Sequence, residues 1–221
     1  MDHEQRYGRF SDDGTEYIIT TPFTPRPWIN YLSNGDYCSL ISQTGGGFSF
    51  YLDHRHHGIH RRELRQHTED LPARLWYLQD ESGEFWCANG YPVNRFDSFE
   101  ARHGFGTTTI SSSYKSIASS LRWFVGPENN GEFCTLTVKN MSDFVKKLRL
   151  FSYQEFILGS FDQDAHERTF ANLFLSAEWN GSSLRLTNNR WSADGDFAGN
   201  SVWPYRVDVL SDTTPDAVNA Q

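Results

Sequence analysis

Apolar and polar residues alternate along most of this chain, which is the pattern of β-strands that bury one face. In the segment 147–157, for example, Leu148 and Leu150 flank Arg149. Such segments are short and are separated by glycine, asparagine, aspartate and proline, which favour tight turns. The pattern predicts strands over 16–20, 36–43, 48–52, 75–79, 84–87, 97–103, 106–112, 116–125, 132–139, 147–157, 172–179 and 183–186.

Several of these strands are predicted to pair as hairpins. The triple glycine 45–47 lies between two of them, and 80–83 and 180–181 have the composition of hairpin turns. Helical periodicity is weak throughout the chain. Residues 162–169 could begin a short helix, and 59–65 fits either a strand or a short helical turn.

The chain is therefore predicted to be all-β. A length of 221 residues is enough for one large antiparallel β-sandwich with a substantial core. The sandwich is predicted to occupy residues 1–210, with at most short helical turns. The last residues, 211–221, form a polar tail that is expected to fray.

A proline-rich stretch interrupts the first strands. Three prolines fall within residues 22–27, and Arg26 lies between two of them. Because a proline keeps the preceding residue out of the helical region, this stretch is expected to run extended. Trp28 and Asn30 follow it and offer a large amphipathic ring and a two-sided hydrogen-bonding group. The stretch predicts a shaped edge of polar and aromatic side chains.

Composition and charge narrow the choice of partners. The formal net charge is −8, so nucleic acid or an anionic membrane surface is not expected as the main partner. No apolar run approaches the length of a membrane span, and the N-terminus lacks the apolar core of a signal peptide, so a cytoplasmic location is expected. Cys38, Cys87 and Cys134 lack CxxC spacing and are predicted to be reduced residues in strands, with a disulfide pair or a nucleophile as alternatives.

A cluster of histidines raises the question of a metal site. His54, His56, His57 and His60 lie close together in the sequence, and neutral imidazoles are common zinc ligands. No cysteine or carboxylate pattern accompanies them at the spacing of metal ligands. No metal is therefore expected, and an exposed basic loop is the favoured interpretation.

Four motifs occur in an order that resembles one known family. The run TTPFTPRPWINYLSNGDYCSLISQTGGGFSFYLD occupies residues 20–53, and YGRFSDD, FEARHGFG and FSYQE occupy 7–13, 99–106 and 151–155. Over roughly residues 7–180, the chain resembles the N-terminal domain of the glycoside hydrolase family 94 phosphorylases, formerly glycosyltransferase family 36. That family includes cellobiose, cellodextrin, laminaribiose and chitobiose phosphorylases.

The resemblance implies a galactose-mutarotase-like supersandwich whose chemistry resides in another domain. In the family, a carboxylic acid protonates the leaving oxygen while inorganic phosphate attacks the opposite face of the sugar, releasing glucose 1-phosphate with inversion. This machinery lies in an (α/α)6 barrel after the sandwich, and no position here matches the catalytic aspartate. No catalytic residue and no cofactor are therefore expected in this chain, with phosphate as a co-substrate of the parent enzyme.

For the sandwich, the resemblance implies packing against the barrel, a homodimer, and a loop that reaches over the active site of the partner subunit. The matching loop is 161–169, with His166, Glu167 and Arg168 as candidate contacts to a β-linked glucose oligosaccharide. Cellobiose-type members carry glutamine in place of Glu167, and an ionised glutamate only accepts hydrogen bonds. The difference suggests another acceptor geometry, although a solvated turn with paired charges would explain the same residues.

Five further residues are candidates for a wall of the cleft or for the interface with the barrel: Arg26, Trp28, Asn30, Arg102 and His103. In the structural alternative, Arg26 caps loop carbonyls and Trp28 fills the core. Arg102 and His103 precede a glycine that marks a turn or bulge, and a structural role is favoured for both.

Two functions of a different kind remain open. A free-standing carbohydrate-binding module would stack sugar rings on exposed tryptophans, with Trp28, Trp76, Trp86 and Trp123 as candidates. A structural or oligomerisation domain would bind no ligand. Buried tryptophans together with an exposed apolar face would argue against the binding module.

Overall fold

The computed structural model of the protein describes residues 7–62, 70 and 74–189, together with the backbone of 203–208. Its elements are β1 (Gly8–Phe10), β2 (Glu16–Ile19), β3 (Ile29–Ser33), β4 (Tyr37–Ser42), β5 (Ser49–Tyr51), β6 (Gly58–His60), β7 (Arg74–Asp80), β8 (Phe85–Cys87), β9 (Ser98–Gly104), β10 (Thr107–Tyr114), β11 (Ile117–Val125), β12 (Glu132–Asn140), β13 (Leu148–Gln154), β14 (Phe156–Gly159), α1 (Phe161–Asn172), β15 (Leu175–Trp179), β16 (Ser183–Asn188) and β17 (Trp203–Asp208).

The strands form antiparallel sheets. A six-stranded sheet has the order β1-β2-β9-β10-β11-β12, and a five-stranded sheet has the order β14-β6-β5-β4-β3. Two three-stranded sheets have the orders β13-β7-β8 and β15-β16-β17. The predicted hairpins are present, since β4 pairs with β5, β7 with β8 and β15 with β16. The predicted all-β antiparallel fold is confirmed.

The main core lies between two layers. Ile110 and Leu121 of the six-stranded sheet pack in one cluster with Ile41 of the five-stranded sheet. Trp76 of β7 and Trp123 of β11 meet edge to face with ring centroids 5.5 Å apart, so the three-stranded sheet of β7 covers the same core. Buried and less buried residues alternate along β11, with Ile117, Leu121 and Trp123 in the buried row. The period-2 pattern therefore placed the core correctly.

Some elements differ from the predicted ones. The single strand predicted over 147–157 is two strands, because β13 pairs with β7 while β14 pairs with β6 in another sheet. β1, β3 and β17 were not predicted. The helix α1 has 12 residues, more than the short turn that the weak periodicity suggested. Positions 63–65 of the ambiguous segment and the tail 211–221 lie outside the described residues.

The three cysteines lie within strands, as predicted: Cys38 in β4, Cys87 in β8 and Cys134 in β12, each with a free thiol. Burial raises the pKa of Cys87 to about 12, so its thiol is protonated at neutral pH. In the part of the chain that the structure describes, no helix is long and apolar enough to cross a membrane.

Candidate functional site

The helix α1 carries the three residues predicted to form the lid. It begins directly after β14, and Ser160 caps its first turn by accepting a hydrogen bond from the backbone N–H of Gln163. Asp162 and Asp164 in this turn match the positive end of the helix dipole. Phe161 is buried and its ring meets Phe48 edge to face at 5.2 Å. The sequence therefore fixes the start of the helix on the sandwich.

Arg61 clamps the helix to the sheet. Its guanidinium reaches both carboxylate oxygens of Asp164 at 3.1 Å and the Glu155 carboxylate at 2.9 Å. A further bond joins it to Asn172 at the last residue of the helix, at 3.2 Å. Asp164 is almost fully buried, so this forked ion pair is shielded from water. Arg62 adds a second anchor, since its guanidinium lies 5.0 Å from the ring of Phe161.

The second half of α1 is exposed and irregular. Glu167 leaves the helical conformation with φ −131° and ψ 36°, which kinks the helix there. His166, Glu167 and Arg168 all project into solvent beside an open depression of about 630 Å³. His166 Nδ1 lies 2.8 Å from the Asp162 carbonyl, and Arg168 lies 3.7 Å from the Asp164 carboxylate. The segment that the family resemblance predicts as a loop is thus a helix. Its start is anchored on the sandwich, and its end is polar and kinked.

Removing the clamp should loosen this helix. We expect Arg61→Met to lower the free energy of unfolding by about 2–3 kcal/mol, because it leaves the buried Asp164 without its bidentate partner. Amide hydrogen exchange within α1 should accelerate more than exchange in β10 or β11. As a control, Arg55→Gln removes an exposed ion pair to Asp162 at 3.4 Å and should change stability by less than about 0.5 kcal/mol. If both variants lowered the free energy of unfolding equally, Arg61 would not be the residue that holds α1 to the sheet.

The predicted cleft residues do not form one site. Trp28, Asn30 and His103 do meet: His103 Nε2 lies 2.9 Å from the Trp28 carbonyl, and Asn30 donates to the carbonyls of Gly104 and Thr107 at 2.8 and 3.0 Å. Burial lowers the pKa of His103. These bonds tie the proline-rich stretch to the β9–β10 hairpin, which is a structural task.

The two arginines of this group lie apart from that cluster. Arg102 points to the opposite side of β9 from His103 and pairs with Glu100 at 2.6 Å and Glu16 at 3.0 Å. Arg26 is exposed, and within the described residues its guanidinium makes no hydrogen bond or ion pair, so it does not cap loop carbonyls.

The four candidate tryptophans do not form a sugar-stacking surface. Trp76, Trp86 and Trp123 are buried at 8%, 2% and 0% exposure. Trp28 is half-buried and packs edge to face against Tyr17 at 5.6 Å. A binding module would need flat, exposed rings, so these four residues speak against that function.

The histidines diverge instead of converging on one point. His56 faces Asp53 at 3.3 Å, and His57 faces the Tyr51 carbonyl at 3.2 Å. His60 is buried, so the prediction that it belongs to an exposed loop is wrong for this residue. It lies in β6, which pairs on both sides and turns His60 into the interior. Among the described residues, no group of three or more histidine, cysteine, aspartate or glutamate side chains could hold a metal ion.

Two buried polar groups were missed by the sequence reasoning. Asp70 accepts hydrogen bonds from Ser42 and Thr44 at 2.7 and 2.5 Å, behind the triple glycine, and burial raises its pKa. Arg74, fully buried, lies 2.8 Å from the Glu132 carboxylate. In the sequence, the only signal was a charged residue, Arg74, next to the first apolar residue of a predicted strand. That signal did not identify Glu132 as its partner.

His60 belongs to the second buried group and gives it a pH dependence. Its ring nitrogens lie 2.7 Å from Ser49 Oγ and 3.0 Å from Gln154 Oε1, and burial lowers its pKa from 6.5 to about 4. As the pH falls, the unfolded chain therefore protonates His60 at a higher pH than the folded chain does. The free energy of unfolding is highest above about pH 6.5 and decreases as the pH drops toward 4. Urea unfolding at several pH values should show this loss, and His60→Gln should flatten it. An unchanged slope in the variant would refute the assignment.

The fold and the site define a class of protein: a β-supersandwich that presents a kinked polar helix. A sequence profile described as "Glycosyl hydrolase 94, supersandwich domain" matches residues 15–213. The chain belongs to this family, which confirms the resemblance found in the four motifs.

Several of the similar proteins are phosphorylases. An N,N'-diacetylchitobiose phosphorylase of Vibrio furnissii is 31% identical over 183 residues, which is 81% of this chain and 23% of that protein. From Paenibacillus borealis, a solabiose phosphorylase is 34% identical over 69% of the chain and 20% of its own length. A 3-O-beta-D-glucopyranosyl-beta-D-glucuronide phosphorylase from the same organism is 36% identical over 69% and 19%. The chain thus spans about a fifth of the length of these relatives.

Proposed function

We propose that this chain is the supersandwich domain of an inverting phosphorylase that cleaves a β-linked glucose disaccharide or oligosaccharide with inorganic phosphate. Membership of the family and the phosphorylase names of its relatives support the reaction class. In this proposal the general acid and the phosphate site lie in an (α/α)6 barrel. The domain packs on that barrel in a cytoplasmic homodimer and needs no cofactor of its own.

Within such an enzyme, the exposed end of α1 acts as the lid over the active site of the partner subunit. The observation that carries this role is the contrast along the helix, with a buried clamp at Asp164 and a solvent-facing kink at Glu167. A rigid base holds the end of the helix in place, and pre-ordered groups lose less entropy when they bind a ligand. The two features together are typical of a positioned binding element.

The side chains at the kink suit the hydroxyl groups of a sugar. Ionised Glu167 accepts hydrogen bonds only, Arg168 donates only, and the imidazole of His166 can do either. One sugar hydroxyl can donate a hydrogen bond to Glu167 and accept one from Arg168 at the same time. The proposal therefore assigns Glu167 and Arg168 to the acceptor sugar, the part of the substrate that leaves with the proton of the general acid.

Phosphorolysis by the full-length protein tests this function. Glucose 1-phosphate release should depend on phosphate, and Glu167→Gln and Arg168→Ala should each lower kcat/KM about tenfold to a hundredfold, mainly through KM for the β-linked substrate that carries the acceptor sugar, because each loses a charged hydrogen bond. Matched controls are Glu128→Gln and Arg149→Ala, which change exposed charges on other elements. Wild-type kinetics in both helix variants, with activity present, would reject the lid role. Absence of phosphate-dependent cleavage would reject the reaction class.

A further inference from the structure

The kink of α1 lies between two residues of opposite charge. Asp164 precedes it and Arg168 follows it, with Glu167 at the non-helical position between them. Arg168 Nη2 lies 3.7 Å from an oxygen of the Asp164 carboxylate. In a regular helix, a pair at this spacing stabilises one continuous face. Here the pair spans the residue at which the helix is broken, so it joins the anchored half of α1 to the half beyond the kink.

The two members of this pair differ in their exposure. The Asp164 side chain is 3% exposed, and the Arg168 side chain is 43% exposed. Because water and ions screen a buried charge poorly, the carboxylate attracts a nearby cation more strongly than an exposed carboxylate would. Arg168 can therefore face Asp164 on its inner side and a ligand on its outer side.

The negative charge of Asp164 is shared, but it is not cancelled. Arg61 lies 3.1 Å from Asp164 and 2.9 Å from Glu155, so one guanidinium serves two carboxylates. The hydroxyl group of Tyr153 donates a further hydrogen bond to Glu155. Two carboxylates and one guanidinium leave one negative formal charge, and Arg168 lies at the Asp164 end of this group. The charges thus alternate in sign from β13 to the kink.

We infer that Asp164 is a positioning residue for substrate binding, because it holds Arg168 in the orientation that donates to a hydroxyl of the acceptor sugar. The inference rests on the role proposed above for Arg168. A guanidinium carries five N–H donors in a planar fork, so it can face a carboxylate and donate to a sugar hydroxyl at the same time. A donor that is already held in place loses less entropy when the sugar binds.

Two variants break the same ion pair and leave different groups behind. In Asp164→Asn, Arg61 keeps Glu155 at 2.9 Å and Asn172 at 3.2 Å, so the end of α1 stays tied to the sheet. Arg61→Met removes all three contacts of the clamp, but it leaves the charge of Asp164 to Arg168. The two variants therefore separate the hold on Arg168 from the hold on the helix.

Kinetics of the full-length protein should reverse the order of the stability effects. Asp164→Asn should raise KM for the β-linked substrate about tenfold with kcat little changed, whereas Arg61→Met should raise it less than about threefold. Asp164→Asn combined with Arg168→Ala should be no worse than Arg168→Ala alone, because Asp164 acts through Arg168. As a matched control, Asp162→Asn removes an exposed carboxylate from the first turn of the same helix and should keep the wild-type KM.

Labelling with phenylglyoxal reads the contact without the reaction. The reagent attacks the deprotonated guanidine, and a nearby carboxylate slows it by stabilising the protonated form. Peptide mass spectrometry should show faster modification of Arg168 in Asp164→Asn than in the wild type, and no faster modification in Arg61→Met. The exposed Arg149 of β13 is an internal reference that should react equally in all variants. Thermal unfolding shows that each variant is folded.

The outcomes distinguish this inference from the proposed function. Faster labelling of Arg168 in both variants would overturn the inference, since a loosened helix would then be the cause. A KM that rises as much in Arg61→Met as in Asp164→Asn would overturn it for the same reason. A wild-type KM in Asp164→Asn beside an impaired Arg168→Ala would reject this inference and leave the lid role standing. Wild-type kinetics in Arg168→Ala would reject the lid role and this inference with it.

Discussion

Gly47→Ala is expected to be one of the most damaging single changes in this domain, with a loss of more than about 4 kcal/mol of stability. An added Cβ would lie 2.1 Å from the Leu40 carbonyl oxygen, and a backbone atom of a paired strand cannot move aside. The residue also has φ +107°, a conformation that L side chains rarely adopt. Urea unfolding, or failure to recover folded protein, measures the effect.

A second glycine distinguishes the effect of the steric clash from the effect of the positive φ. Gly14 also has a positive φ, +70°, but an added Cβ there would meet nothing within 4 Å. Gly14→Ala should therefore lower the free energy of unfolding by only about 1 kcal/mol, which is the effect of the backbone conformation alone. If Gly14→Ala were as harmful as Gly47→Ala, the close approach of strand and loop would not be the reason for the triple glycine.

Arg74→Met is expected to destabilise the domain by about 3–5 kcal/mol, because it leaves a buried carboxylate without its cation. Arg74 is fully buried, bonds Glu132 at 2.8 Å and also donates to Ser39 at 2.9 Å and to the Leu40 carbonyl at 3.0 Å. Burial alone would raise the pKa of Glu132, but Arg74, His60 and the hydrogen bond from Ser39 together outweigh burial, and the pKa is lowered. The ion pair joins β4, β7 and β12 across the sandwich.

A double-mutant cycle checks this interpretation. Removing both charges with Arg74→Met and Glu132→Leu should cost less than Arg74→Met alone, since no unpaired charge then remains inside. The free energies of unfolding of the two single variants and the double variant, from urea titration at neutral pH, give the coupling energy. Additive losses would show that the two side chains do not act as a pair.

The strand pairs were predictable because the signal is local. In β7 and β8, the two apolar runs and the turn 80–83 between them lie within a few residues of each other, so period and composition were enough. In contrast, the division between β13 and β14 depends on which sheet each half joins. No pattern within 147–157 carries that information.

The helix and the buried charges were harder for the same reason. α1 is held by Arg61, which is more than 100 residues away from Asp164 in sequence, and not by strong helical periodicity. Arg74 and Glu132 are separated by 58 positions. Such contacts are products of the tertiary fold, and only the family resemblance suggested a function for 161–169. Even so, it suggested a loop where the structure has a clamped helix.

Mixed dimers of the full-length protein would test the central claim most directly. One subunit carries Arg168→Ala in its helix, and the other lacks the general-acid aspartate in its barrel. If α1 covers the partner's active site, the intact barrel receives the intact helix, and the mixed dimer should recover about half of the wild-type phosphorolysis per dimer, because one of its two sites is complete. Activity no higher than that of the Arg168→Ala homodimer would contradict the account, since the helix would then serve its own subunit or none.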